Sequence, residues 1–238
     1  MTAPRLTKSF PLGLESLAGG LVVSCQAPSD SPLHDPVIIA AMAQAAVNRG
    51  AVGVRIDSPA HIAAVRKVVS VPIIGLWKQV SPEYPVYITP RFDQAEAIAL
   101  AGADLIALDA TQRPRPEELG HLITQIQDVL GKPVMADIDT YENAMIAAGL
   151  GVDCLGTTLF GYTEATSHEQ PPAWDLLRQL VSDLTIPVIC EGGISSPQMA
   201  RQALDVGADC VVVGTDITGI DRKVQTYLQE ILTLSALT

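Results

Sequence analysis

The feature that most limits what this chain can fold into is a repeat: short runs rich in β-branched residues alternate with alanine-rich stretches of helical character. Eight such runs occur: Gly20 to Cys25, Val52 to Ile56, Pro72 to Leu76, Asp104 to Leu108, Pro133 to Ala136, Asp153 to Gly156, Pro187 to Cys190 and Cys210 to Val213. Strands buried on both faces of a parallel sheet need such near-continuous apolar runs, with helices between them. Eight βα units close into a barrel, so the pattern predicts an α/β fold, a single TIM (β/α)8 barrel. A length of 238 residues suits one domain over 1–238, with a short N-terminal extension at about 1–18. No Gly-, Pro- or Ser-rich linker divides the chain.

Between the runs, helices are expected over Asp35 to Asn48, Ala60 to Val69, Asp93 to Ala101, Pro116 to Leu130, Tyr141 to Ala148, Trp174 to Leu184 and Pro197 to Val206. Gly50, Gly102, Gly151 and Gly207 stand just before the next run, where a left-handed C-terminal turn is needed. Ser196-Pro197 and Arg115-Pro116 place proline near a helix start, where its missing N–H costs little.

Composition removes several function classes. A formal charge of −11 leaves no basic stripe for nucleic acid or an anionic membrane, so neither is an expected partner. An anionic substrate must then be held locally, by backbone N–H groups and a few cations. Cys25, Cys154, Cys190 and Cys210 lie inside apolar runs without metal-ligand spacing and read as buried reduced thiols. His34, His61, His121 and His168 form no two-histidine helical motif, so no metal is assigned. Met1 to Leu21 has no unbroken apolar stretch, which makes a cytoplasmic location the default.

In such a barrel, chemistry is assembled at the C-terminal ends of the strands. Those positions are polar here: Gln26, Arg55, Lys78, Asp109, Asp137 and Glu191. A lysine and carboxylates sharing a partly desolvated mouth tune one another's pKa toward neutrality, as proton transfer beside a carbonyl requires. Any one of them alone fits a loop cap or an ion pair equally well; convergence favours chemistry. After the seventh and eighth runs, Gly192, Gly193, Gly214 and Thr215 occupy the usual phosphate-binding loops. The longest irregular stretch, Gly161 to Pro172, is either a lid or an ordinary surface excursion.

Several segments resemble, in order, the N-acetylmannosamine-6-phosphate 2-epimerase family. They are Val23-Ser24-Cys25-Gln26-Ala27, Gly53-Val54-Arg55, Pro72 to Lys78, Val86-Tyr87-Ile88-Thr89-Pro90, Leu108 to Thr111, Met135 to Ile138 and Gly161-Tyr162-Thr163. The resemblance implies a ribulose-phosphate-binding type of barrel and an isomerase. Its reaction would interconvert N-acetylmannosamine 6-phosphate and N-acetylglucosamine 6-phosphate in sialic acid catabolism, without cofactor or metal. It further implies that Lys78 removes the C2 proton, that Glu191 is its acid/base partner, and that Gln26, Arg55, Asp137, Tyr162 and Thr163 hold the sugar. A homodimer is implied in the same way. The chain departs from the family pattern at Gly193 and Gly219, where arginines are usual, and at Asp57 and Asp139, where asparagine and serine are. Backbone N–H groups, Arg222 or a variant substrate would answer for the missing cations. Another sugar-phosphate isomerase or epimerase on the same barrel, or a non-catalytic sugar-phosphate sensor, stays open.

Overall fold

The computed structural model describes residues 8–235. Eight parallel strands form a closed barrel in chain order: β1 (Leu21–Cys25), β2 (Gly53–Asp57), β3 (Ile73–Leu76), β4 (Leu105–Asp109), β5 (Val134–Asp137), β6 (Cys154–Gly156), β7 (Val188–Glu191) and β8 (Cys210–Val213). The ring closes where Leu21, Val22 and Val23 pair with Val211, Val212 and Val213. The strands that follow Pro72, Pro133 and Pro187 begin one residue later than the runs suggest, because proline has no N–H for the ladder. β2, β4, β5 and β7 each extend onto their polar terminal residue, Asp57, Asp109, Asp137 and Glu191.

Side chains alternate faces along a strand, and this alternation builds two apolar layers. Val22, Ile74, Leu76, Leu105, Ala107, Met135, Cys154, Ile189, Cys210 and Val212 fill the barrel interior. Phe10, Leu14 and Leu17 of the expected N-terminal extension pack into the same cluster, so that segment contributes three side chains to the core; residues 1–7 lie outside the described residues. The other layer, including Val54, Ile56, Ile73, Ile106, Leu108, Val188 and Val211, packs against helices. These are α1 (Pro36–Val47), α2 (Pro59–Arg66), α3 (Phe92–Leu100), α4 (Leu119–Leu130), α5 (Tyr141–Gly149), α6 (Trp174–Asp183) and α7 (Pro197–Val206).

The junction phrases have a double role. Gly50, Gly102, Gly151 and Gly207 take φ of 99°, 111°, 85° and 111°, the left-handed turn that only glycine adopts without strain. The aspartate that follows three of them then caps a neighbouring strand. The Oδ2 atoms of Asp104, Asp153 and Asp209 accept from the first N–H groups of β3, β5 and β7, at Ile73, Val134 and Val188, over 2.7–2.9 Å. Ser196 Oγ accepts from Met199 N at 3.2 Å and Pro197 follows it, the expected start of α7.

Two expectations need correction. Pro116 does not start α4: the helix begins at Leu119, because Glu118 caps it by accepting from Gly120 N (2.9 Å) and His121 N (2.7 Å). The expected helices also stop at the eighth run, whereas the structure continues with α8 (Thr215–Thr218) and the longer α9 (Ile220–Ser235).

Candidate active site

The alternation that buries the barrel interior also selects the residues of its mouth. Val22 and Ser24 lead to Gln26, Gly53 leads to Arg55 and Asp57, Leu76 to Lys78, Ala107 to Asp109, Met135 to Asp137 and Ile189 to Glu191, each two residues further along the same face. Because all eight strands are parallel, these side chains gather at one end.

At their centre is Arg55, a charged residue only 1% exposed. Its guanidinium meets Asp137 twice, Nη1 to Oδ1 at 3.0 Å and Nη2 to Oδ2 at 2.5 Å, the planar two-pronged geometry that arginine favours. Nη1 also donates to Glu191 Oε2. The Thr158 hydroxyl lies 2.6 Å from Asp137 Oδ1 and 3.3 Å from Glu191 Oε2. A buried arginine is tolerable only with such partners. Gly156 leaves room for the cluster, since a Cβ there would stand 2.3 Å from the Met135 methyl carbon and 3.3 Å from Asp137 Oδ1.

Lys78 is positioned by its backbone. The chain after β3 doubles back as a short ribbon, with Lys78 bridged antiparallel to Ile88, Gln79 N donating to Tyr87 O (2.8 Å) and Thr89 N to Trp77 O (2.9 Å). Thr89 pins the ribbon to the barrel, its hydroxyl donating to Ala107 O at 2.7 Å. Asp57 Oδ1 accepts from Lys78 N at 3.0 Å, a contact that asparagine would also make. The ammonium is thereby aimed across the mouth and donates to Gln26 Oε1 at 2.5 Å; Gln26 Nε2 in turn donates to Ser24 Oγ at 2.9 Å.

The two proton-handling candidates are driven in opposite directions. Lys78 is open to solvent by surface area, yet protein crowds its ammonium on most sides. That desolvation lowers its pKa, against the pull of Asp57 and with help from the nearby Arg55 charge. Desolvation raises the pKa of Glu191, outweighing the Arg55 charge beside it. Both shifts favour the neutral forms, an amine ready to accept a proton and a carboxylic acid ready to give one.

Similarity to known proteins assigns the chain to a family. A family model described as "Putative N-acetylmannosamine-6-phosphate epimerase" matches residues 39–233. The chain belongs to this family. A relative from Thermosynechococcus vestitus named "Putative N-acetylmannosamine-6-phosphate 2-epimerase" is 67% identical, over 89% of this chain and 93% of its own. One of the same name from Aliivibrio fischeri is 44% identical over 92% of each chain. The solved N-acetylmannosamine-6-phosphate 2-epimerase of Clostridium perfringens superposes with a TM-score of 0.86 at 38% identity, covering 92% of this chain and 95% of that one.

Within this epimerase, the remaining sequence-derived residues fall into two groups. Gly192 and Gly193, with φ of 101° and 70°, turn the chain after β7, and Gly214 and Thr215 turn it after β8. Tyr162 is 56% exposed, with its ring edge 3.8 Å from where a Gly192 Cβ would sit, so it borders the same opening. Thr163 is not brought to the mouth. It is 3% exposed, and its hydroxyl donates to Asp139 Oδ2 at 2.6 Å. Asp139 is itself buried and takes a second donor from Asn143 Nδ2 at 2.6 Å, so its carboxylate ties the 161–172 loop to α5. Asp109 is likewise engaged locally, by Thr111 and Arg113.

At the two glycines where the resemblance leads one to expect arginine, there is little room for a side chain. A Cβ on Gly193 would stand 2.6–2.7 Å from the Pro171 backbone, and one on Gly219 would stand 2.8 Å from Thr215 Cα. Neither position accepts an arginine as the chain stands. Arg222 is exposed on α9, whereas the adjacent Lys223 turns to Asp216, directly after Thr215. Two residues beside the expected positions escaped the sequence argument: Thr158, which meets Asp137 and Glu191, and Lys223, which meets Asp216. Thr158 had a usable signal, since it lies two residues beyond Gly156, in the turn that leaves the end of β6; Lys223 had none.

Proposed function

We propose that this protein interconverts N-acetylmannosamine 6-phosphate and N-acetylglucosamine 6-phosphate in the cytoplasm, as a step of amino-sugar breakdown. The observation that carries the proposal is the convergence of Lys78, Arg55, Asp137 and Glu191 on one barrel mouth, where Arg55 meets both carboxylates and desolvation lowers the pKa of the lysine and raises that of Glu191. The C2 hydrogen becomes acidic when C1 is an aldehyde, so the sugar ring opens before or as C2 is deprotonated. Lys78 removes that proton, and Glu191 serves as its acid/base partner in ring opening or in returning a proton to C2. The developing enolate oxygen needs a cation; Arg55, or Lys78 once protonated, supplies it. Gln26 and Asp137 orient the open chain, with the Tyr162 ring beside them.

Backbone N–H groups of Gly192, Gly193, Gly214 and Thr215 hold the phosphate, with Lys223 as the nearby cation. Their approach is close because glycine has no side chain to interpose. The functional unit is a homodimer. In support, α9 exposes Ile220, Val224, Tyr227, Leu228 and Ile231 at helical spacing, and its principal packing partner is only the short α8.

The test is incubation with N-acetylmannosamine 6-phosphate in deuterated water, followed by proton NMR at C2. Product carrying deuterium at C2 is expected, and Lys78→Met should abolish both turnover and exchange while leaving the fold intact. Product formed without label rules out a base that exchanges its proton with solvent.

A further inference from the structure

Among the described residues, Thr158 is the one uncharged side chain within hydrogen-bond distance of all three charged groups of the buried cluster. Its Oγ1 lies 2.6 Å from Asp137 Oδ1, 3.3 Å from Glu191 Oε2 and 3.3 Å from Arg55 Nη1. The proton count there is tight. Arg55 Nη1 has two protons and faces three oxygens: Asp137 Oδ1, Glu191 Oε2 and Thr158 Oγ1. A hydroxyl has one proton and can donate to only one carboxylate at a time. In the resting arrangement that proton goes to Asp137, the nearer acceptor, and the hydroxyl lone pairs face Arg55. A rotation about the C–O bond redirects it to Glu191 at no cost in backbone movement.

We infer that Thr158 is a positioning residue whose hydroxyl divides one proton between Asp137 and Glu191, holding Asp137 square on Arg55 and turning to Glu191 when Glu191 has lost its own proton. The inference rests on the proposed role of Glu191. Local structure supports it: Thr158 lies in the turn two residues beyond Gly156, and a Cβ at Gly156 would stand 2.9 Å from its oxygen. The charged groups acting on Glu191 are Arg55 of β2, Asp137 of β5 and Lys78 beyond β3. Of the groups near Glu191, Arg55, Lys78 and the Thr158 hydrogen bond favour its ionised form.

The test compares Thr158→Val, which keeps the shape without the hydroxyl, with Thr158→Ser, which keeps the hydroxyl. For Thr158→Val, kcat should fall roughly tenfold to a hundredfold, the effect of losing a hydrogen bond to a charged group. KM should stay near its starting value. The limb of the pH–rate profile governed by Glu191 should move to higher pH, because a carboxylate robbed of a donor holds its proton more tightly. Thr158→Ser should restore both rate and profile. An unchanged rate and profile in Thr158→Val overturns the inference, and so does a Thr158→Ser that behaves like the valine variant or a loss confined to KM. Should the wild type show no turnover, the activity proposal fails by itself. Carbon-13 NMR titration of the Glu191 carboxyl then still decides: its midpoint must rise in Thr158→Val and return in Thr158→Ser. If the valine variant does not fold, Thr158→Ala replaces it in both measurements.

Discussion

Replacing Arg55 by methionine, which fills similar volume without charge, should expose how much the mouth depends on one cation. Arg55 has a side-chain exposure of 2%, and its partners Asp137 and Glu191 have 0% and 13%. Asp137 would keep only the Thr158 hydroxyl among the side-chain donors of this cluster, and Glu191 would lose its short contact. Removing one partner of a buried ion pair costs about 3–5 kcal/mol, because the remaining charge stays desolvated and uncompensated. For a domain of this size that lowers Tm by roughly 6–20 °C. The deficit must also depend on pH. Glu191 already has a folded-state pKa above its ordinary value, and Arg55 is the largest influence pulling it down. Without Arg55 that pKa rises further, so Glu191 favours folding below its unfolded pKa, and that contribution is lost as pH rises through the folded one. The deficit of Arg55→Met should therefore be largest near neutrality and shrink as pH falls toward the ordinary carboxylate range. Urea unfolding of both proteins at pH 5 and pH 7.5 measures this. A deficit under about 1 kcal/mol, typical of exposed pairs, or one that does not change with pH, would refute an uncompensated buried charge as its source.

Two further outcomes follow from the surfaces around the mouth. Gly193→Arg, which puts a side chain against Pro171, should lower stability by about 1–3 kcal/mol for the left-handed backbone alone, and weaken substrate binding by displacing Pro171; unfolding curves and KM measure both, and a variant as stable as the wild type shows that this contact yields. Light scattering of the wild type should give twice the 25.1 kDa chain mass, and paired Leu228→Glu and Ile231→Glu substitutions should return the single-chain mass; a double variant that stays dimeric moves the interface elsewhere.

Much of this architecture is dictated by local chemistry. β-branched runs form strands, and Gly50, Gly102, Gly151 and Gly207 take the left-handed turn between a helix and the next strand, three of them followed by an aspartate that caps a neighbouring strand once the sheet has formed. Strand parity likewise turns Arg55, Asp137 and Glu191 inward, and the common direction of the strands brings them, with Lys78 beyond β3, to one end. Partner choice follows no such rule. Asp137 and Glu191 lie 82 and 136 positions from Arg55, and whether that guanidinium meets them or Asp109 depends on how the closed ring rotates each strand relative to the others. Asp109 is taken up locally by Arg113, whereas closure of the ring brings Thr163 to Asp139 and Thr158 between two carboxylates. Periodicity in a sequence reports which face a side chain takes. Only the closed barrel, with its fixed stagger and its steric limits at Gly156 and Gly193, decides what stands opposite.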